Sequence, residues 1–207
     1  MAKEIEVKFL DVNHAVIRAK LKTLGAKLKT PKTLFRRINL DLHDRHLSEI
    51  GSWLRLRDEG SKVTLTHKIH SKDAGGELIT KEFETEVSSF ESALELLLSM
   101  GMIQKAYQEN YRENWVLSLD EGEVEVALDQ WPHVKPHIEI EFLSGKNPEA
   151  ALKKVAKMLG LDYKKAVNDD ICPVYFAEYQ VANREQLYSL EGGFRFDAPI
   201  KLTRKSE

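Results

Sequence analysis

A single cysteine, Cys172, stands in the 207 residues, so an intrachain disulfide framework is excluded. Cysteine and histidine nowhere fall into a zinc-binding spacing. No apolar run is long enough to span a bilayer, and the N-terminus enters a charged strand within four residues instead of a secretory leader. A strong excess of either charge is also missing. The formal net charge of −2 gives no support to bulk attraction to nucleic acid or to an acidic membrane. These absences predict a soluble intracellular protein, expected in the cytoplasm. At 42% hydrophobic residues one domain of this length can bury a substantial core, which turns attention to how the 31% of charged residues are arranged.

Glu4-Ile5-Glu6-Val7-Lys8 is the first arrangement met. Side chains alternate across a strand, so Glu4, Glu6 and Lys8 share one face while Ile5, Val7 and Phe9 share the other. The plan recurs. An acidic strand, a polar cap, an amphipathic helix and a closing glycine are repeated in three segments. The first runs from Glu4 and Glu6 through Asn13 to Val16, Ile17, Leu21 and Leu24, and stops at Gly25. The second runs from Glu82 and Glu84 through Ser88 and Ser89 to Leu94, Leu97 and Leu98, and stops at Gly101. The third runs from Glu139 and Glu141 through Asn147 and Pro148 to Leu152, Val155, Ala156 and Leu159, and stops at Gly160. A cap residue, with proline at the helix start and glycine just past its end, is a sound boundary signal.

Other strands show the same polarity. Trp53, Arg55 and Arg57 alternate with Leu54 and Leu56; Lys62, Thr64, Thr66 and Lys68 alternate with Val63, Leu65 and Ile69. Between those two runs, Asp58-Glu59-Gly60-Ser61 suits a hairpin turn. Glu82, Glu84 and Glu86 alternate with Phe83 and Val87, and Asn110, Arg112 and Asn114 with Tyr111 and Trp115. Glu123, Glu125, Ala127 and Asp129 alternate with Val124, Val126 and Leu128, and Glu139 and Glu141 with Ile138, Ile140 and Phe142. An open sheet would leave the charged face in water. A closed one would turn the apolar face outward beneath the helices and line a tunnel with charge. Whole strands are acidic and others basic, and like charges so spaced repel unless opposite charge lies between them, which favours the tunnel.

Six of these motifs, in order, resemble those of the CYTH superfamily, the triphosphate tunnel metalloenzymes. That group takes in class IV adenylyl cyclases, thiamine triphosphatases and inorganic triphosphatases. The motifs are Glu4-x-Glu6-x-Lys8, Leu54-Arg55-Leu56-Arg57, Leu65-Thr66-His67-Lys68, Glu82-x-Glu84, Arg112-Glu113-Asn114-Trp115, and Asp129 followed by Glu139-x-Glu141. The resemblance implies an α+β fold: a closed eight-stranded antiparallel β-barrel, charged faces inward and helices packed outside. It implies a CYTH domain over 1–182 and leaves 183–207 as an extension of unknown role, expected to be mobile or disordered at its end.

Carried over by position, Glu4, Glu6, Asp129, Glu139 and Glu141 would bind metal. Lys8, Arg55, Arg57, Lys68 and Arg112 would grip phosphates. Glu82 and Glu84 would support the basic residues, and Lys8 would also tune a nucleophilic water. Carboxylate ligands suit Mg²⁺ or Mn²⁺, and arginine suits bidentate phosphate recognition. The expected function is metal-dependent hydrolysis of the terminal phosphate of tripolyphosphate, thiamine triphosphate or a nucleoside triphosphate. A class IV adenylyl cyclase making cyclic AMP and pyrophosphate is the alternative, and a non-catalytic polyphosphate or nucleotide-binding module is a third. The expected partner is a small-molecule triphosphate, with neither nucleic acid nor membrane; a homodimer would be consistent with the family.

The chain departs from the pattern in two places. Asn110 and Tyr111 precede Arg112 where members often carry a basic residue, for which Lys105 or Lys62 could substitute. Phe35–Asp41 lacks the Thr-Pro of an aromatic-Asp-Thr-Pro sequence, and Arg37 within it is expected at the surface. His67 should face the helical layer, His133 and His137 flank prolines and suit loops, and Trp53, Trp131 and Cys172 suit packing roles. Glu123 and Glu125 fit either tunnel acids or an exposed hairpin end.

Overall fold

The computed structural model describes residues 5–72, 78–168 and 171–205. β1 (Ile5–Phe9) leads to α1 (His14–Thr23), β2 (Lys27–Leu42), the short α2 (His46–Glu49), β3 (Ser52–Asp58), β4 (Val63–Lys72) and β5 (Leu78–Val87). Then come α3 (Phe90–Ser99), β6 (Met102–Leu119), β7 (Gly122–Gln130), β8 (His137–Gly145) and α4 (Pro148–Met158). The chain closes with α5 (Cys172–Glu178), β9 (Tyr179–Gln180), α6 (Arg184–Tyr188) and β10 (Thr203–Arg204). The fold is α+β. Eight strands form one sheet in the order β1-β8-β7-β6-β2-β3-β4-β5, with β1 and β5 as end members and antiparallel registers throughout the described pairs. No helix among the described residues is long and apolar enough to cross a membrane.

The helix boundaries follow the capping chemistry. Asn13 accepts hydrogen bonds from the N–H groups of Ala15 and Val16, Ser89 from that of Ser92, and Asn147 from that of Ala150. Each of these helices closes on a C-cap residue, Leu24, Met100 or Leu159, followed directly by a left-handed glycine: Gly25 at φ 75°, Gly101 at 90° and Gly160 at 72°. The hairpin turn after Asp58 forms as expected, Glu59 N–H donating to the Lys62 carbonyl at 2.9 Å.

Two compact units divide the chain. Among the described residues, one takes in 5–33, 110–168, 171–184 and 202–205. Its core lies between the apolar face of β1, β8, β7 and the second half of β6 and the inward stripes of α1 and α4. Val7, Phe9, Val124, Val126, Leu128, Ile138 and Ile140 meet Ile17, Leu21, Leu152, Val155 and Leu159 there. Full burial of each such side chain is worth roughly 1.5–3 kcal/mol before entropy is counted, so this layer holds the strands that position the charged face behind it. Val16, expected inward on α1, is instead 49% exposed, because Ile17 and Leu21 already fill that stripe.

The other unit takes in Leu34–Glu109 and Glu185–Lys201. Ile38, Leu40 and Leu56 pack beneath Phe90 and Leu97 of α3. Leu98, expected in this core, is 41% exposed, and Phe83, expected beneath the helices, is 57% exposed. Asp41 is buried and accepts hydrogen bonds from the N–H groups of Leu42, Leu47 and Ser48 and from the Ser48 hydroxyl, tying α2 to the end of β2. His67 lies opposite Leu54 and Phe83, on the face away from the arginines, as its parity predicts. Part of the extension after residue 182 packs onto this unit, while its last two residues lie outside the described ones. Leu187 and Phe194 are buried, and Phe194 bridges β6 through the Phe194 N–H to Tyr107 carbonyl and Glu109 N–H to Phe194 carbonyl bonds.

The Arg112-Glu113-Asn114-Trp115 motif works on both faces of β6. Glu113 faces the helical side, where its carboxylate takes a bidentate contact from Arg18 of α1 at 2.8–3.2 Å and the indole N–H of Trp115 at 2.7 Å. Glu113→Gln is expected to cost about 2 kcal/mol of unfolding free energy, since it leaves Arg18 without its counter-charge. Denaturant unfolding measures it, and an unchanged midpoint would refute the role.

Candidate functional site

The charged face of the second half of β6, β7, β8 and β1 is set by register. Arg112 lies opposite Asp129, and Asp129 opposite His137. In the next row Asn114, Ala127, Glu139 and Lys8 stand side by side, and in the row after that Val116, Glu125, Glu141 and Glu6. Three predicted acids and two predicted cations thereby come together around Glu139. Lys8 Nζ is 3.1 Å from Glu139 and 3.0 Å from Glu6, and Arg112 contacts both Asp129 and Glu139 through its guanidinium. Asn110 completes the Asp129 shell, its amide donating at 2.7 Å. Glu141 stands in this face opposite Glu6. Glu4 lies outside the described residues.

Burial and charge oppose each other in this cluster. Burial alone would raise the pKa of Glu139, but Arg112 and Lys8 hold it well below the usual carboxylate range. Burial would likewise discharge Lys8, yet Glu139 and Glu6 keep its pKa above the ordinary lysine value. Lys8 is therefore a permanent ammonium at neutral pH.

Sequence reasoning missed or misplaced several members of this face. Glu125, left open between two readings, is nearly buried and accepts from Lys29 at 2.7 Å, whereas Glu123 is exposed. Lys29 was not singled out at all; β2 gives little alternation there to mark it. His137 is no loop residue. It opens β8 with no exposed surface, on the same parity as Glu139 and Glu141, and neither ring nitrogen has a hydrogen-bond partner. Extending the Glu139/Glu141 alternation by one step would have found it; Pro136 beside it suggested a turn. Its imidazole is held toward the neutral form, chiefly by burial, against the pull of Asp129 and Glu139.

The other unit presents a basic face. Arg37 lies opposite Arg57, and Asn39 opposite Arg55 on β3. Arg55 and Arg57 face Thr66 and Thr64 of β4, which face Glu84 and Glu86 of β5. Lys68 bonds Glu82 at 2.9 Å, Arg55 approaches Glu82 at 3.8 Å, Arg57 pairs with Glu59, and the Thr66 hydroxyl donates to Glu84 at 2.8 Å. Glu82 thus contacts two of the basic residues, Arg55 and Lys68, whereas the contact of Glu84 is with the Thr66 hydroxyl. Arg37, expected at the surface, shares the face of Arg55 and Arg57, because β2 pairs β3 in the register that places it there. The proposed substitutes for the missing basic residue are otherwise engaged or placed: Lys105 donates to Ser48 at 2.6 Å, and Lys62 lies in the β3–β4 turn.

A family model described as CYTH domain matches residues 2–169. Among solved structures, a protein of Pyrococcus horikoshii OT3 is 24% identical at a TM-score of 0.58, covering 83% of this chain and 99% of that one. A candidate adenylate cyclase of Vibrio parahaemolyticus is 16% identical at a TM-score of 0.65, with 84% and 97% covered. A candidate adenylyl cyclase from Hippeastrum, described as revealing a dominant triphosphatase activity, is 19% identical at a TM-score of 0.59, with 84% and 96% covered. At these identities the likeness bears on the fold.

Proposed function

The chain belongs to the CYTH domain family, and on that footing we propose that it is a metal-dependent enzyme that hydrolyses the terminal phosphate of tripolyphosphate, thiamine triphosphate or a nucleoside triphosphate. The observation that supports this most is Glu139, a largely but not fully buried carboxylate shared by Lys8 and Arg112 on a face that also bears Glu6, Glu141 and Asp129. Such alternation of fixed positive and negative groups suits a polyanion accompanied by a cation. Closure of the strand order into a barrel remains part of the proposal.

Glu6, Asp129, Glu139 and Glu141 offer hard oxygen donors, and the orphaned nitrogens of His137 lie beside two of them, so the residues fit a divalent cation. Mg²⁺ or Mn²⁺ held there would neutralise phosphate oxygens and acidify a bound water. Lys8, locked as an ammonium, donates to a phosphate oxygen or fixes the attacking water; it does not act as a base. Arg112 is oriented by Asp129, itself fixed by the Asn110 amide, and presents its charge to the phosphate chain. Arg55, Arg57 and Lys68 supply anion-binding groups preset by Glu82 and Glu59. Catalysis of this kind needs positioned charge more than covalent chemistry.

The test is incubation with Mg²⁺ or Mn²⁺ and tripolyphosphate, thiamine triphosphate or ATP in turn. Orthophosphate release is the expected result. Cyclic AMP with pyrophosphate would replace the reading with a class IV adenylyl cyclase, and binding without any product would replace it with a non-catalytic module.

A further inference from the structure

The carboxylates explain a preference for hard cations, but they leave His137 without a purpose. A fully buried imidazole with two unsatisfied nitrogens is costly, because each buried polar group without a partner forfeits its hydration. Its neighbours are specific. Asp129 stands directly across β7, and one ligand atom from each of Asp129, His137 and Glu139 lies within 4.8 Å of the other two. The residue is held from behind as well, since His14 of α1 bonds the His137 carbonyl at 2.8 Å.

We propose that His137 is a metal ligand, forming with Asp129 and Glu139 a mixed nitrogen–oxygen subsite that favours Mn²⁺-type transition ions over Mg²⁺. The inference rests on the metal requirement of the proposed function, not on its reaction. Its chemistry is direct. A carboxylate set treats Mg²⁺ and Mn²⁺ alike in ligand type, whereas one imidazole adds affinity along the transition series and little for Mg²⁺. The neutral imidazole is the form that binds metal, and it already lies where two carboxylates converge. Arg112 and Lys8 now neutralise those carboxylates, so an entering divalent ion adds positive charge to a balanced cluster. The phosphate chain of a substrate, or of pyrophosphate used as a probe, restores the balance by drawing the two side chains toward its own oxygens.

The experiment uses the full chain with Mn²⁺ alone and with Mn²⁺ plus pyrophosphate, and reads electron spin-echo modulation for ¹⁴N coupling to the bound ion. Coupling is expected, it should vanish in His137→Gln, and it should persist in His14→Gln. Mn²⁺ affinity should fall about tenfold in His137→Gln, while Mg²⁺ affinity, measured by competition, should change less than twofold. If His137→Gln fails to fold, ¹⁵N-histidine labelling of the wild-type chain shows through the altered coupling whether a histidine ligates the ion, and among the described residues His137 is the histidine that lies in such a group with carboxylates. Bound Mn²⁺ with no nitrogen coupling under either condition overturns the proposal, and so does coupling that survives in His137→Gln. Failure to bind Mn²⁺ at all overturns it together with the metal requirement. Loss of triphosphate turnover with coupling intact leaves the ligand assignment standing and counts against the reaction alone.

Discussion

Glu139→Gln is expected to lower kcat for triphosphate hydrolysis about 10³-fold, roughly 4 kcal/mol of transition-state stabilisation. The side chain keeps its shape but loses the charge that Lys8 and Arg112 share. The same change should cost about 2 kcal/mol of stability, since the buried Lys8 ammonium and the partly buried Arg112 guanidinium each lose one counter-charge, keeping only Glu6 and Asp129 respectively. Activity must therefore be compared below the melting transition of the variant, which thermal unfolding locates. The pH dependence gives a further check. The folded Glu139 carboxyl titrates below its unfolded value, so its stabilisation is present above the ordinary carboxylate range and is lost as pH falls through that range and below it. Wild-type stability should decline on acidification, and Glu139→Gln should show a shallower decline. Equal acid limbs, or full turnover in the variant, would remove Glu139 from the site.

The second large effect has the opposite stability signature. Arg55→Ala is expected to reduce kcat/KM about 10²-fold to 10³-fold, with the melting temperature unchanged or slightly raised. Arg37, Arg55 and Arg57 share one face of adjacent strands, and Arg37 stands directly across from Arg57. Arg55 stands beside that pair, opposite Asn39 and Thr66, and its ion pair with Glu82 is long at 3.8 Å. Removing it eases like-charge repulsion at the loss of one weak pair while depriving an anion of a contact. Arg55→Lys should recover only part of the activity, because an ammonium cannot reproduce a bidentate guanidinium contact. Steady-state kinetics and a thermal scan of the two variants decide the matter. A variant that loses stability and activity in parallel would make Arg55 structural.

Much of this was legible along the chain. The three capped helices were, because a cap and a left-handed glycine act within a few residues of each other. So were the charged faces of β3, β4 and the middle of β8, where polar and apolar side chains alternate; on β7 Ala127 interrupts the acids and Glu125 stays open between two readings. β2 was not, since Lys27–Leu42 contains Pro31 and a largely exposed first half that breaks any two-residue period. The packing of the extension was also hidden. Leu187 stands near Tyr188 and Leu190, and Phe194 near Phe196, a pattern too short to mark a core, and only their packing partners bury Leu187 and Phe194.

Sequence alone determined which side chains share a face and which ends stop a helix, because backbone periodicity and capping are local. Tertiary structure decided the rest: that Glu139 serves Lys8 and Arg112 at once, that Arg37 joins Arg55 and Arg57, and that His137 is sealed beside Asp129. Each of those facts depends on which strand lies alongside and in what register, and a strand's own alternation is blind to its neighbour.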